Sequence, residues 1–292
     1  MDLRSPWVPA PPLHDGTRDC GTFLLDFLGQ YKPEDLVVHW SQDRPPASAE
    51  VQALIERAWT ARLDQARQSG TILFDGPLCR LMRFETRRDK LEVTLGPTGY
   101  KEFLGTNLTH PQLRYQHGEA IMADPLGVSA AAVTADGYLL LGLRSQKVAC
   151  YPGRIHPISG TVAPVAGRGP DPFAAILYEL SQEAQIPAQK VPGPLCLGMV
   201  RDKKIVQPEL VFELAVETDL QPLWRELPQA VEAHEHTQII PLRDHPANVV
   251  GFLENHCRNI TPVAMATLLL HGLYRWGSGW FAAARGYLRS VV

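Results

Sequence analysis

A chain of 292 residues with 45% apolar and 20% charged side chains has the material for two packed cores, and its composition excludes a fibrous or disordered class. The net charge of −3 leaves no basic footprint, so nucleic acid is not expected as a partner. Five scattered cysteines (Cys20, Cys79, Cys150, Cys196, Cys257) form no CxxC pair and match no histidine spacing, the pattern of reduced cytosolic thiols.

The N-terminus, Met-Asp-Leu-Arg-Ser-Pro-Trp, has no apolar signal core, and residues 1–47 read as a Pro-rich, irregular segment with one short helix near Phe23 to Leu28. Ser48 caps an expected helix from Ala49 to Gln68 whose inner face is Val51, Leu54, Ile55, Ala58 and Leu63. Thr71 to Phe84 and Leu91 to Leu95 read as a hairpin around the charged turn that starts at Glu85. Tyr100 to Asn107 reads as a helical turn ending at Gly105. These elements make residues 48–117 a small α+β domain.

Residues 118–292 form the expected second domain. Val128 to Thr134 and Tyr138 to Leu143 are apolar strands joined by Ala135-Asp136-Gly137, a strong hairpin signal. A loop from Tyr151 to Gly160 leads toward a helix over 171–186. Gly193 to Val200, Glu209 to Val216 and Ile239 to Leu242 read as strands. Helices at Ala247 to His256 and Pro262 to Trp276, the second capped by Thr261, complete the order. The longest apolar stretch, around Met265 to Leu270, is too short for a bilayer, so a cytoplasmic protein with no membrane partner is expected. Nothing in the sequence signals an oligomeric state.

The helix at 171–186 carries the chemistry. Asp171 can cap the first turn, and Pro172 fits the first helical position. Phe173, Ile176, Leu177, Leu180 and Ala184 recur at three- and four-residue spacing as one apolar stripe. Glu179 and Glu183 are four apart and share another face with Gln182. Like charges at that spacing repel, and a hard divalent cation reverses the sign. Mg²⁺ is commonly held by one or two carboxylates together with substrate phosphates.

The run from Gly160 to Ile186 resembles a divergent Nudix box, whose signature is Gly, five residues, Glu, seven residues, then Arg-Glu-aliphatic-any-Glu-Glu-any-Gly-aliphatic. Glu179 and Glu183 hold two of the three helix acids. Tyr178 stands for the Arg, Gln182 for the middle Glu and Gln185 for the Gly, and Ala166 stands where the early Glu is counted. The loop is about four residues longer than in the signature. A wider likeness is to the UDP-glucose pyrophosphatase branch of the Nudix superfamily, carried by Ala58-Trp-Thr-Ala-Arg-Leu63, Leu73-Phe-Asp75, Tyr100 to Asn107 and Ala123 to Val128. Further blocks are Arg144 to Val148, Leu197 to Arg201 and Glu232 to Thr237.

The resemblance implies an α/β fold, a Nudix α/β/α sandwich with a mixed sheet, preceded by the small α+β domain. It also implies Mg²⁺-dependent (or Mn²⁺-dependent) hydrolysis of UDP-glucose or UDP-galactose to UMP and a hexose 1-phosphate. Glu179 and Glu183 are then metal ligands, with Gln182 as a neutral one, and Gly160 opens the box. Arg144 clamps phosphate oxygens, and Glu235 is the candidate general base, with Glu209 the weaker alternative. His234 and His236 are metal-ligand candidates that fit an exposed loop equally well. In the first domain Tyr100 or Phe103 is placed to stack on uracil and Asn107 to pair with its edge, while Asp124 and Gly127 read as a turn. Two rival readings are another nucleoside diphosphate, such as ADP-ribose, and a silent fold that binds nucleotide sugars.

Overall fold

The computed structural model describes residues 19–69, 73–87, 89–226 and 236–291. The described chain opens with strand β1 (Phe23–Tyr31) and β2 (Leu36–Trp40), then helix α1 (Ala49–Ser69) and the strands β3 (Pro77–Thr86) and β4 (Leu91–Gly99). Next come β5 (Gly127–Val133), β6 (Tyr138–Arg144), β7 (Ile155–Thr161) and helix α2 (Pro172–Ala184). Strands β8 (Leu195–Asp202), β9 (Pro208–Ala215) and β10 (His236–Arg243) follow, then helices α3 (Pro246–His256) and α4 (Pro262–Val291), the latter broken at Gly277.

Seven strands form one sheet in the order β1-β8-β9-β5-β7-β6-β10. Only the β5–β9 pairing in it is parallel, so the sheet is mixed. Each face is apolar and must be covered. On one side Phe173, Ile176, Leu180 and Ala184 of α2 pack with Leu210, Phe212, Val128 and Ala130. On the other, Ala264, Met265, Leu268 and Leu269 of α4 and Val249 and Leu253 of α3 pack with Val211, Leu139 and Leu141. Helix, sheet and helix make three layers, the sandwich expected. A second, three-stranded sheet, β2-β4-β3, adds Leu91, Val93, Leu95, Cys79 and Leu81 to the core on the α2 side. Helix α1 buries Val51 and Ile55 against Leu113, Ile121 and Met122.

Three local expectations change. The stretch near Phe23 to Leu28 is strand, not helix: Phe23, Leu25 and Phe27 alternate inward and pair with β8, so residues 1–47 are not irregular throughout. Residues 1–18 lie outside the described residues. The segment before α2 is strand from Ile155 to Thr161, wedged between β5 and β6, so that the β5–β6 hairpin splays after its first pair. Gly105 does not end its helical turn. The α-helical Tyr100–Phe103 passes into a π-helix over Leu104–Leu108, with Gly105 directly against Ile55 of α1. Among the described residues no helix is long and apolar enough to cross a membrane.

Candidate active site

A cleft of about 360 Å³ opens where β5 and β9 begin and β7 ends. Its lining divides between polar groups, among them Glu179, Glu209, Asp202, Ser159, His156 and Arg144, and an apolar cluster of Tyr100, Phe103, Leu108 and Ile205. Such a division suits a ligand with one charged and one planar part.

Local rules place the helix acids. Asp171 Oδ1 accepts from the N–H groups of Phe173 (2.9 Å) and Ala174 (3.1 Å), fixing the start of α2, and Pro172 takes the first position. The apolar stripe then turns Glu179 toward β7. A Cβ on Gly160 would overlap the Glu179 carboxylate, so the glycine is what lets that side chain cross the strand to the cleft. Glu183 is buried one turn later, and its Oε2 accepts from the Ser159 N–H at 3.4 Å. Gln182 is not part of the cleft lining; its carboxamide donates to Ser181 Oγ at 3.3 Å on the same helix. Tyr178, at the box Arg position, is 59% exposed and points away.

Glu209 is the residue the structure promotes. It faces Gly127 across the parallel β5–β9 pair, and a Cβ on Gly127 would meet its Cγ at 2.9 Å. Ser129 hydrogen-bonds the carboxyl, while the buried Oε1 has no partner among the described residues. Burial, first, and the charge of Asp202 push its pKa up to about 8, against the opposing pull of Ser129 and Arg144. An orphaned carboxyl oxygen in a cleft that is also lined by Glu179 and Asp202 is what a hard cation would satisfy. Glu179 and Glu209 both line the cleft and are of the type a divalent cation takes, whereas Glu183 is held by the Ser159 N–H. No group of three or more His, Cys, Asp or Glu side chains is already gathered into a metal cluster among the described residues.

Arg144 lines the cleft at the end of β6 with its Nε held by the Cys150 carbonyl at 3.0 Å, an arrangement that fixes the guanidinium plane. Tyr100 and Phe103 both line the cleft, edge to face at 6.3 Å between ring centroids. Asn107 is corrected. It is fully buried, its Nδ2 donates to Asp124 Oδ1 (2.9 Å) and the Ile205 carbonyl (3.0 Å), and its Oδ1 accepts from the Asp124 N–H (3.2 Å). With those groups committed it braces the wall of the cleft instead of meeting a ligand. Asp124, at φ 37°, is therefore part of a buried brace with Asn107 and Arg201 and not a cleft contact. Glu235 and His234 lie outside the described residues, as does the side chain of His236.

Sequence reasoning gave less weight to Glu209 and missed Ser159, His156 and Thr261. The signal for Glu209 was present: an acid in the otherwise apolar strand Pro208-Glu-Leu-Val-Phe-Glu-Leu-Ala215 is a buried charge, which needs a reason. Ser159 and His156 had no such signal, because the stretch read as loop.

No family model matches the chain. The human (Homo sapiens) uridine diphosphate glucose pyrophosphatase is 30% identical over 285 residues, covering 86% of this chain and 91% of that protein. Nudix hydrolase 9 of Arabidopsis thaliana is 26% identical over 176 residues, 50% of this chain and 55% of that protein. Among solved structures, a NUDIX hydrolase from Nitrosomonas europaea aligns at 12% identity over 50% of this chain and 87% of its own, with a TM-score of 0.36, and the assignment does not rest on it. On the near full-length likeness to the human protein, this chain belongs to the Nudix hydrolases, in the family of the uridine diphosphate glucose pyrophosphatases.

Proposed function

We propose that this protein hydrolyses the diphosphate of UDP-glucose or UDP-galactose, giving UMP and a hexose 1-phosphate, with Mg²⁺ (or Mn²⁺) as the cation. The observation that carries this reading is the buried, unpartnered Glu209 oxygen in a cleft that Glu179, Arg144, Tyr100 and Phe103 also line. The name of the human relative points to the same substrate.

Glu179 and Glu209 would hold the cation, with Glu183 keeping the β7 backbone in place through Ser159. Bound there, the cation offsets the charge of the diphosphate and makes water a stronger acid. The guanidinium of Arg144 takes phosphate oxygens, its orientation preset by Cys150. Tyr100 and Phe103 shelter the uracil ring. The candidate general base remains Glu235. A soluble, cytoplasmic enzyme acting on a small nucleotide sugar, without nucleic acid or membrane, completes the reading.

The test is UMP release from UDP-glucose with and without Mg²⁺, for the wild type and Glu179→Gln, beside a panel of other nucleoside diphosphates that includes ADP-ribose. Cation-dependent UMP that disappears in the variant is expected. Turnover of a different panel member alone would move the substrate, and binding of UDP-glucose without turnover of anything would make the protein a nucleotide-sugar binder.

A further inference from the structure

The cleft holds a polar chain that the metal and base assignments do not use. His156 Nε2 lies 2.7 Å from Ser159 Oγ, and its Nδ1 lies 2.8 Å from Thr261 Oγ1. All three residues line the cleft. Thr261 is fully buried and stands just before Pro262, the first residue of α4, where its Oγ1 accepts from the Ala264 N–H at 3.2 Å. A histidine bonded to two hydroxyls leaves the proton positions open until the hydroxyl protons are assigned.

Those protons can be assigned from the ends of the chain. The Thr261 hydroxyl proton is buried, and a buried donor without an acceptor is costly. Among the described residues its one acceptor is His156 Nδ1. Nδ1 then accepts, and the proton of a neutral imidazole sits on Nε2, donating to Ser159 Oγ. Ser159 Oγ thus accepts from the ring, and its own proton is left to point into the cleft, beside Gly160, Glu179 and Arg144.

We infer that Ser159 is a phosphate-binding donor and that His156, anchored by Thr261, is a positioning residue that holds the Ser159 hydroxyl proton toward the diphosphate. The inference rests on the diphosphate reading above. It assigns no proton transfer to His156: the ring turns the helix cap of α4 into an oriented hydroxyl 2.7 Å away.

The first test needs no substrate. Long-range ¹H–¹⁵N NMR of the ring, assigned by loss of the signal in His156→Gln, should show the neutral Nε2–H tautomer. The Nδ1–H tautomer would make Ser159 the donor to the ring and overturn the inference, whatever the enzyme hydrolyses. The second test is kinetic. Ser159→Ala and His156→Leu should each lower kcat/KM for UDP-glucose roughly tenfold to a hundredfold, the range for losing a hydrogen bond to a charged group. The double variant should be no worse than either single one, because the two act as a unit. His156→Gln, whose amide N–H can still donate to Ser159, should restore most of what His156→Leu loses. A Ser159→Ala protein with native circular dichroism and kcat/KM within twofold of wild type would also overturn the inference. A wild type inert toward UDP-glucose but showing the Nε2–H tautomer would count against the substrate assignment alone, and the same variants then decide the inference on whichever panel member is turned over.

Discussion

Strand β9 carries two buried glutamates four residues apart on one face, and their surroundings are opposite. Glu213 meets His271 of α4, whose Nδ1 lies 2.8 Å from Glu213 Oε2 and whose Nε2 lies 2.9 Å from Asp244 Oδ1. Arg275 adds a contact to Asp244 at 3.4 Å. Every charge in that group has a partner, and the two carboxylates hold the buried imidazole in its charged form up to about pH 9, against the pull of burial. Glu209 has one serine and an orphaned oxygen. The same residue type on the same strand is thus a closed brace at one end and an open site at the other. Buried charge that is satisfied specifies packing. Glu209, left without such partners, keeps its proton at neutral pH until something in the cleft displaces it.

The contrast breaks first through activity. Glu209→Gln should lower cation-dependent hydrolysis by roughly a thousandfold, since one hard ligand and its charge are lost. Glu213→Gln should leave turnover per folded molecule within a few-fold, because Glu213 is not part of the cleft lining and its carboxylate is engaged by His271. Equal losses in both, measured as UMP release under saturating Mg²⁺, would mean that the two glutamates do not divide the work as their surroundings indicate.

Stability should show the reverse order. His271→Leu leaves Glu213 and Asp244 buried together without their cation, a change expected to cost about 3–5 kcal/mol. The histidine's pKa is raised on folding, so its contribution is whole below about pH 6.5 and is lost as the pH rises through about 9. The gap in urea midpoint between wild type and His271→Leu should therefore shrink from pH 6 to pH 9.5. A gap that widens over that range would contradict the charged assignment.

Glu209 predicts a smaller effect of opposite sign. Burial keeps its proton on up to about pH 8, whereas the unfolded chain releases it near the ordinary Glu value of about 4.3. Between those limits the folded state holds the extra proton, so cation-free stability falls as the pH rises. Glu209→Gln removes that slope and should raise Tm at pH 7.5 by a few °C, on the order of 1–2 kcal/mol, in the presence of a chelator. Excess Mg²⁺ should stabilise the wild type and not the variant. A variant that melts lower than wild type in chelator would show that Glu209 is structural after all.

The parts of this design that were legible in the sequence are those written locally. The cap at Asp171, the proline after it and the apolar stripe fix α2, and with it the positions of Glu179 and Glu183. The hairpin at Asp136-Gly137 is equally local: the Gly137 N–H closes on the Thr134 carbonyl at 2.9 Å. What escaped is written across long separations. β1 looks helical by its run of apolar residues, and becomes strand only because β8, some 170 residues later, offers an edge. Asn107 looks like a base reader until Ile205 and Asp124 are seen to claim its amide. The chain from Ser159 to Thr261 joins β7 to the cap of α4, residues 102 positions apart that no motif connects.

One departure from the Nudix signature has a conformational meaning that the aligned letters hide. The signature places Gly after the last helix acid, and Gln185 stands there in this chain. Gln185 ends α2 in the left-handed region, at φ 57° and ψ 28°. That conformation is the usual helix C-cap of a glycine, which has no Cβ to crowd the next carbonyl. Position 185 is thus a helix stop in this chain and not part of the cleft lining, and glutamine serves there with strain on the order of 1 kcal/mol. Gln185→Gly should relieve most of that strain, offset in part by the freer unfolded chain, and raise stability by about 0.5 kcal/mol, with kcat/KM unchanged. It is the smallest effect expected here, and it sharpens the division of labour seen in β9. A rise in activity with no gain in urea midpoint would mean that position 185 acts on the acids of α2 and not on the end of the helix.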